Sequence, residues 1–124
     1  KFIRRTATRY SDSNEETRIV VRVSKRYPTG SPRDYWFTLQ EKQDRDYLDE
    51  KKEGHFIMGC TDSATFFVVP IAKMKTFSNR MNLTSRPGAD FRHVEIKRYE
   101  DECRLVLRDP PEEVSLTQYE YSTA

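Results

Sequence analysis

Hydrophobic and polar positions alternate over residues 17–25, with Ile19, Val21 and Val23 on one side and Arg18, Val20 and Arg22 on the other. A period of two belongs to a half-buried strand. It predicts that the Ile-Val-Val row packs inward and that the two arginines stand on the outer face. Residues 27–33 (YPTGSPR) carry two prolines and a glycine and predict a loop, after which residues 34–39 (DYWFTL) resume strand chemistry. The two strands are expected to pair as a hairpin. Within the second, Tyr35, Phe37 and Leu39 face the core, which points Trp36 outward beside Thr38 and Gln40. Thr38 and Glu41 stand at capping-box spacing and predict a helix over about residues 40–52, with Lys51 and Lys52 in its last turn and Gly54 as its cap.

Two nearly continuous apolar runs follow, 55–60 (HFIMGC) and 64–69 (ATFFVV), separated by the turn-like Thr61-Asp62-Ser63; such runs are expected as central strands. Pro70 suits the first turn of a helix whose apolar stripe is Ile71, Met74, Phe77 and Met81. Residues 84–89 read as a turn region, and 91–98 with 102–108 as a hairpin around Tyr99-Glu100-Asp101. Pro110 and Pro111 close it, leaving a tail that adds one short strand through Val114 and Leu116. The order ββαββαββ predicts an α+β fold: two helices on a mixed or antiparallel curved sheet of about six strands, curled toward a partial barrel. The expected organisation is a basic N-terminal arm (1–16), a single α+β domain (17–109) and an acidic C-terminal tail (110–124).

At 124 residues, with 35% hydrophobic and 34% charged residues, the chain is polar, yet seven Phe, seven Tyr and one Trp supply core material that disordered sequences lack. The apolar stretches are too short to span a bilayer, and no signal-peptide pattern opens the chain, so no membrane partner is expected. Cys60 and Cys103 each lie in an apolar run, which favours buried free thiols and a cytoplasmic setting. The chain opens on Lys1 rather than Met, which suggests a piece of a longer protein with further domains.

Charge is segregated along the chain. Residues 1–33 hold nine Lys/Arg against three Asp/Glu, and residues 98–124 hold three against seven, within a net charge of +2. A basic segment beside strands is a signature of polyanion binding. Arg18, Arg22, Lys25, Arg26 and Arg33 are the candidate phosphate contacts. Trp36, placed beside them, is the candidate for stacking on a base or lining a base pocket. The opposing expectation covers Trp36 with the 27–33 loop or the following helix.

Candidate catalysis rests on Asp90 with Glu95-Ile96-Lys97, the order of a PD-(D/E)xK nuclease, in which two carboxylates hold Mg²⁺ and the lysine positions the attacking water. The spacing argues against it, because four intervening residues cannot form the hairpin that places the first Asp on a neighbouring strand. Alternation instead puts His93, Glu95 and Lys97 on a solvated face. His55 and His93 have no Cys or His at zinc-ligand spacing, and Gly30, Gly54, Gly59 and Gly88 are isolated, so neither a metal nor a phosphate loop is expected.

The succession Tyr35-Trp36-Phe37, Ile57-Met58-Gly59-Cys60, Val68-Val69-Pro70-Ile71, His93-Val94-Glu95-Ile96 and Ser115-Leu116-Thr117-Gln118-Tyr119 resembles an accessory module of prokaryotic restriction and defence proteins over about residues 17–119. That pattern has Tyr-Trp where this chain has Phe91-Arg92, and Asp where it has Ser115. The resemblance implies a DNA-associated domain and carries over no catalytic residue. The sequence reading is therefore a nucleic-acid-binding module, directed to DNA, with two alternatives: the Mg²⁺-dependent nuclease, and a protein-interaction or oligomerisation domain.

Overall fold

The computed structural model describes residues 1–48 and 52–123 and has the α+β class that the sequence predicts. Among the described residues, eleven strands and two helices run in the order β1 (Ile3–Arg4), β2 (Arg9–Ser11), β3 (Thr17–Ser24), β4 (Tyr35–Gln40), α1 (Gln43–Tyr47), β5 (Glu53–Cys60), β6 (Thr65–Pro70), α2 (Ile71–Ser78), β7 (Leu83–Arg86), β8 (Ala89–Arg98), β9 (Cys103–Leu107), β10 (Glu112–Ser115) and β11 (Glu120–Ser122). A single 3-10 turn, Thr117–Tyr119, precedes the last strand.

In place of one curved sheet there are two open ones, and no barrel closes. The first has the order β1-β2-β3-β5-β6-β11, with β3 and β5 parallel; the second runs β10-β9-β8-β4, with β7 also paired to β8. The expected β3–β4 hairpin does not form. β4 pairs with β8 instead, Tyr35 opposite Ile96 and Trp36 opposite Glu95. The loop between β3 and β4 is long enough to carry the chain from one sheet to the other. Only local bonds tie the two strands, such as Trp36 N–H to Ser24 Oγ at 3.0 Å.

The core lies between the sheets. Val20, Phe56, Met58, Phe67 and Val69 enter it from the first sheet, and Tyr35, Phe37, Leu39, Val94, Ile96, Leu105 and Leu107 from the second. α2 adds Ile71 and Met74, with Met81 buried just beyond it, so the predicted stripe is real. Pro70 sits at its N-cap.

β3 has the opposite phase to the expected one. Val20 is fully buried and its row-mates Arg18 and Arg22 turn inward, whereas Val23, from the apolar row, is 67% exposed. Asp44 is the physical reason. Its carboxylate is completely buried. It accepts hydrogen bonds from Arg22 Nη2 at 2.8 Å, Arg9 Nη2 at 3.2 Å and the Gln40 backbone N–H at 2.8 Å. Arg18 lies over the Tyr47 ring, 5.1 Å from its centroid, and donates to the Tyr47 carbonyl. A buried carboxylate without cationic partners is prohibitive, and this one draws the arginine row into the interior.

The helix expected over 40–52 is correspondingly short. Gln40 and Thr38 belong to β4, no side chain caps the helix, and α1 is little more than one turn. Residues 49–51 of the expected helix lie outside the described residues. Residues 84–89, read as a turn, instead include β7, joined to β8 by Pro87-Gly88; Gly88 has φ +84°, the left-handed value that the third residue of a type II turn requires. Two strands fall in the segment read as a basic arm, and β10 and β11 in the acidic tail, so both ends are hydrogen-bonded into sheets. Among the described residues no helix is long and apolar enough to cross a membrane.

Asp44→Ala should cost about 3–5 kcal/mol, since it strands two guanidinium groups in the interior, and lower the melting temperature by roughly 10–20 °C. Thermal unfolding checks this; a loss below about 1 kcal/mol would show that the carboxylate does not hold the sheets together.

Candidate functional site

The pleat of β4 fixes the site. Because Tyr35, Phe37 and Leu39 fill the core, Trp36 and Thr38 occupy the outer face of the second sheet, as the sequence predicts, whereas Gln40 at the strand end accepts from Arg9 Nη2 at 2.9 Å, beside the buried Asp44. Register then sets their neighbours: Thr38 lies opposite His93, and Gln40 opposite Phe91, while Thr84 of β7 pairs with Phe91 from the other side. Neither helix nor loop seals this face, and Trp36 is half-buried.

Trp36 and His93 are stacked, with centroids 5.4 Å apart and planes 28° from parallel. The indole Nε1–H donates to His93 Nδ1 at 3.0 Å. An indole N–H can only donate, so Nδ1 carries no proton, and Nε2–H donates to Thr84 Oγ1 at 2.6 Å. The Thr84 hydroxyl hydrogen is thereby left for another acceptor. Both rings are held in place without any contribution from a ligand.

These residues wall a hollow of about 230 Å³ lined by Trp36, Thr38, Thr84, Arg86, Phe91 and His93. It is smaller than the roughly 300–1,000 Å³ of sites for drug-sized ligands, a size suited to one planar ring system with the remainder of the ligand outside. On the other side of Trp36 a second hollow, of about 310 Å³, includes Lys25 and Tyr27. Lys25 Nζ stands 5.4 Å from the Tyr27 ring centroid.

The basic residues singled out in the sequence divide into two groups. Arg18 and Arg22 are committed to the interior, to Tyr47 and Asp44, and are corrected from outer-face phosphate contacts to structural side chains; Arg22 borders the second hollow with its charge already paired. Lys25 lines the second hollow beside Trp36, whereas Arg26 and Arg33 line neither hollow. Arg26 pairs with Asp34 at 3.4 Å, and Arg33 Nε donates to Glu95 Oε1 at 2.9 Å, beside Trp36 in the register.

Glu95 is not on a solvated face. It is 5% exposed and also accepts from Arg108 Nη2 at 2.6 Å. Burial alone would raise its pKa, but the hydrogen bonds and charges of Arg108 and Arg33 outweigh that and hold it below 4.5. Lys97 pairs with Glu113 at 3.4 Å. Asp90 is exposed near the start of β8, five residues from Glu95. An odd separation puts the two carboxylates on opposite faces, roughly 16 Å apart at about 3.3 Å per residue. Asp90, Glu95 and Lys97 thus do not converge on a metal, and among the described residues no group of three or more His, Cys, Asp or Glu does.

Cys60 and Cys103 are free and buried, and burial pushes their thiols up to about 12 and about 11. Neither is an activated nucleophile.

Sequence reasoning missed Thr84, Arg86, Phe91 and His93 as partners of Trp36. The Pro87-Gly88 dipeptide is a hairpin signal, and with it the alternation of Phe91 and His93 would have matched that of Trp36 and Thr38 once β4 was paired with β8. No model of a protein family matches this chain, and neither does any curated protein or solved structure.

The Glu95 cluster predicts acid sensitivity with a definite sign. A carboxyl whose folded pKa lies below its unfolded value stabilises fully above about pH 4.5, and that contribution is lost as pH falls through the folded value. Melting temperature should therefore drop below about pH 4.5. Glu95→Gln should melt lower at pH 7 and lose less on acidification; parallel curves for the two proteins would refute the assignment.

Proposed function

We propose that this chain is a nucleic-acid-binding module in which the Trp36 hollow receives a single base. The observation that carries the reading is the preformed aromatic hollow on an uncovered sheet face, bounded by Trp36, Phe91 and His93 and also lined by Arg86. An aromatic plane accepts the π-face of any base, while the hollow is too small for sugar and phosphate, which must lie at its rim. Nearby cations suit this division: Arg86 lines the hollow, Lys25 lines the neighbouring hollow across Trp36, and Arg33 is held by Glu95, the register partner of Trp36. The Thr84 hydroxyl and the Thr38 side chain supply polar groups for a base edge.

DNA rather than RNA, and a parent protein of the restriction or defence type, rest on the resemblance over residues 17–119. The nuclease alternative loses its support with the separation of Asp90 from Glu95.

The chain should bind single-stranded or duplex DNA with micromolar or weaker affinity that falls as salt rises. Trp36→Ala should weaken binding by about 1–3 kcal/mol with little change in salt slope, whereas Lys25→Ala or Arg26→Ala should each lower the slope by about one unit. Arg18→Ala and Arg22→Ala should instead lower the melting temperature. Fluorescence anisotropy at several salt concentrations, beside thermal unfolding, reads all of these. Absence of binding at low salt to a panel of DNA and RNA would overturn the proposal.

A further inference from the structure

Trp36 and Thr38 line the hollow of about 230 Å³ that holds His93, and they also line the hollow of about 310 Å³ that holds Lys25 and Tyr27. The two hollows therefore share a wall. β4 allows this because it is the last strand of its sheet, with β8 along one edge and no strand of that sheet along the other. The Trp36 backbone N–H points to the open edge, where it donates to Ser24 Oγ at 3.0 Å. Two residues on, the pleat turns the Thr38 N–H and C=O to the same edge, a donor and an acceptor that no ladder uses.

The second hollow repeats the chemistry of the first. Tyr27 supplies an aromatic ring, and its position is fixed by its backbone N–H, which donates to the Asp34 carbonyl at 2.7 Å. Lys25 supplies a cation whose ammonium lies 5.4 Å from the centroid of that ring. An exposed cation–π contact is a weak hold, and the flexible lysine stem lets the ammonium leave it for a phosphate. Arg22 borders this hollow with its charge spent on Asp44. Among the described residues no Asp or Glu lines it, so its walls set no negative charge against a phosphate. The larger hollow beside β9 and β10 is unsuited by the same test, since Asp109, Glu112 and Glu113 line it.

We propose that the second hollow receives another nucleotide of the same strand, so that the chain grips two bases of a single-stranded segment with the Trp36 side chain between them. The proposal rests on the reading of the first hollow as a base site. Tyr27 takes the face of the second base, the Thr38 backbone meets its edge, and Lys25 takes a phosphate. Bases in a duplex stack directly on their neighbours, so a segment that admits a side chain between two of its bases is unpaired and unstacked. Once the first base is seated, the strand tethers the second near its hollow, and the second contact adds to affinity as an intramolecular step.

Trp36 is the sole tryptophan of the chain, so its fluorescence reports on both hollows. Titration of the full chain with thymidine monophosphate and with oligothymidylates from about two to about six nucleotides long tests the proposal. Affinity should rise at least about tenfold from the monophosphate to the trinucleotide, the order expected of one further aromatic stack, and by less than about threefold for each nucleotide after that. Tyr27→Ala should shrink the gain at least about threefold and Tyr27→Phe should keep it, with melting to verify the fold; should Tyr27→Ala not fold, the exposed Lys25→Gln decides in its place. Phe91→Ala, in the first hollow, should weaken the monophosphate itself. Equal affinity for the monophosphate and the longer ligands overturns the proposal and leaves the first hollow a base site. A gain that the folded Tyr27→Ala retains in full overturns it too, as does a duplex bound as tightly as a single strand of equal length. If no thymidylate binds at all, the base-site reading and this proposal fall together.

Discussion

The carboxylate of Asp44 has no exposure to water, and a buried anion must be met by donors or the fold fails. Arg9 and Arg22 come to it from two strands of the first sheet and the Gln40 N–H from the end of a strand in the second. It is thus a polar joint across an otherwise apolar core. Much else depends on it. With Arg22 turned inward, the pleat turns Arg18 and Val20 inward as well, and Ile19, Val21 and Val23 outward. Gln40, held by the same carboxylate, anchors the end of the strand that presents Trp36 on the far face.

Charge segregation along the chain is largely cancelled in three dimensions. Arg9, Arg18 and Arg22 account for part of the basic N-terminal third, and they are absorbed by Asp44, Glu15 and Tyr47. The acidic C-terminal residues are met in the same way, Glu112 by Arg80 and Glu113 by Lys97 and Arg104. Glu95 links both halves through Arg33 and Arg108. On the proposed reading, what is left for a polyanion is the smaller set around Trp36, with Lys25 and Arg86 beside the aromatic rings.

The two outer faces of the molecule therefore differ in kind. One presents a hollow with the stacked Trp36 and His93 rings, the Thr38 and Thr84 hydroxyls and Arg86. The other has apolar rows, Val21-Ile57-Val68 and Val23-Gly59-Phe66-Tyr121, next to rows that carry Arg4, His55 and Glu53. Both exist because the helices are short and sit on or between the sheets, leaving each sheet one side to water.

The sequence alone determined the α+β class, the β5–β6 apolar pair, the α2 stripe from Ile71 to Met81, the β8–β9 hairpin and the orientation of Trp36. These follow from local period and turn chemistry, which are written into neighbouring residues. Tertiary structure decided the rest. Alternation shows that Arg18 and Ile19 face opposite ways, but the partner that chooses the inner row, Asp44, lies some twenty residues away in a segment whose own pattern read as a helix over about residues 40–52. Which strand pairs with β4 is likewise a competition between distant segments, and β8 wins it. That pairing alone put His93, Phe91 and Thr84 beside Trp36, and buried Glu95 between two arginines that no local spacing connects to it.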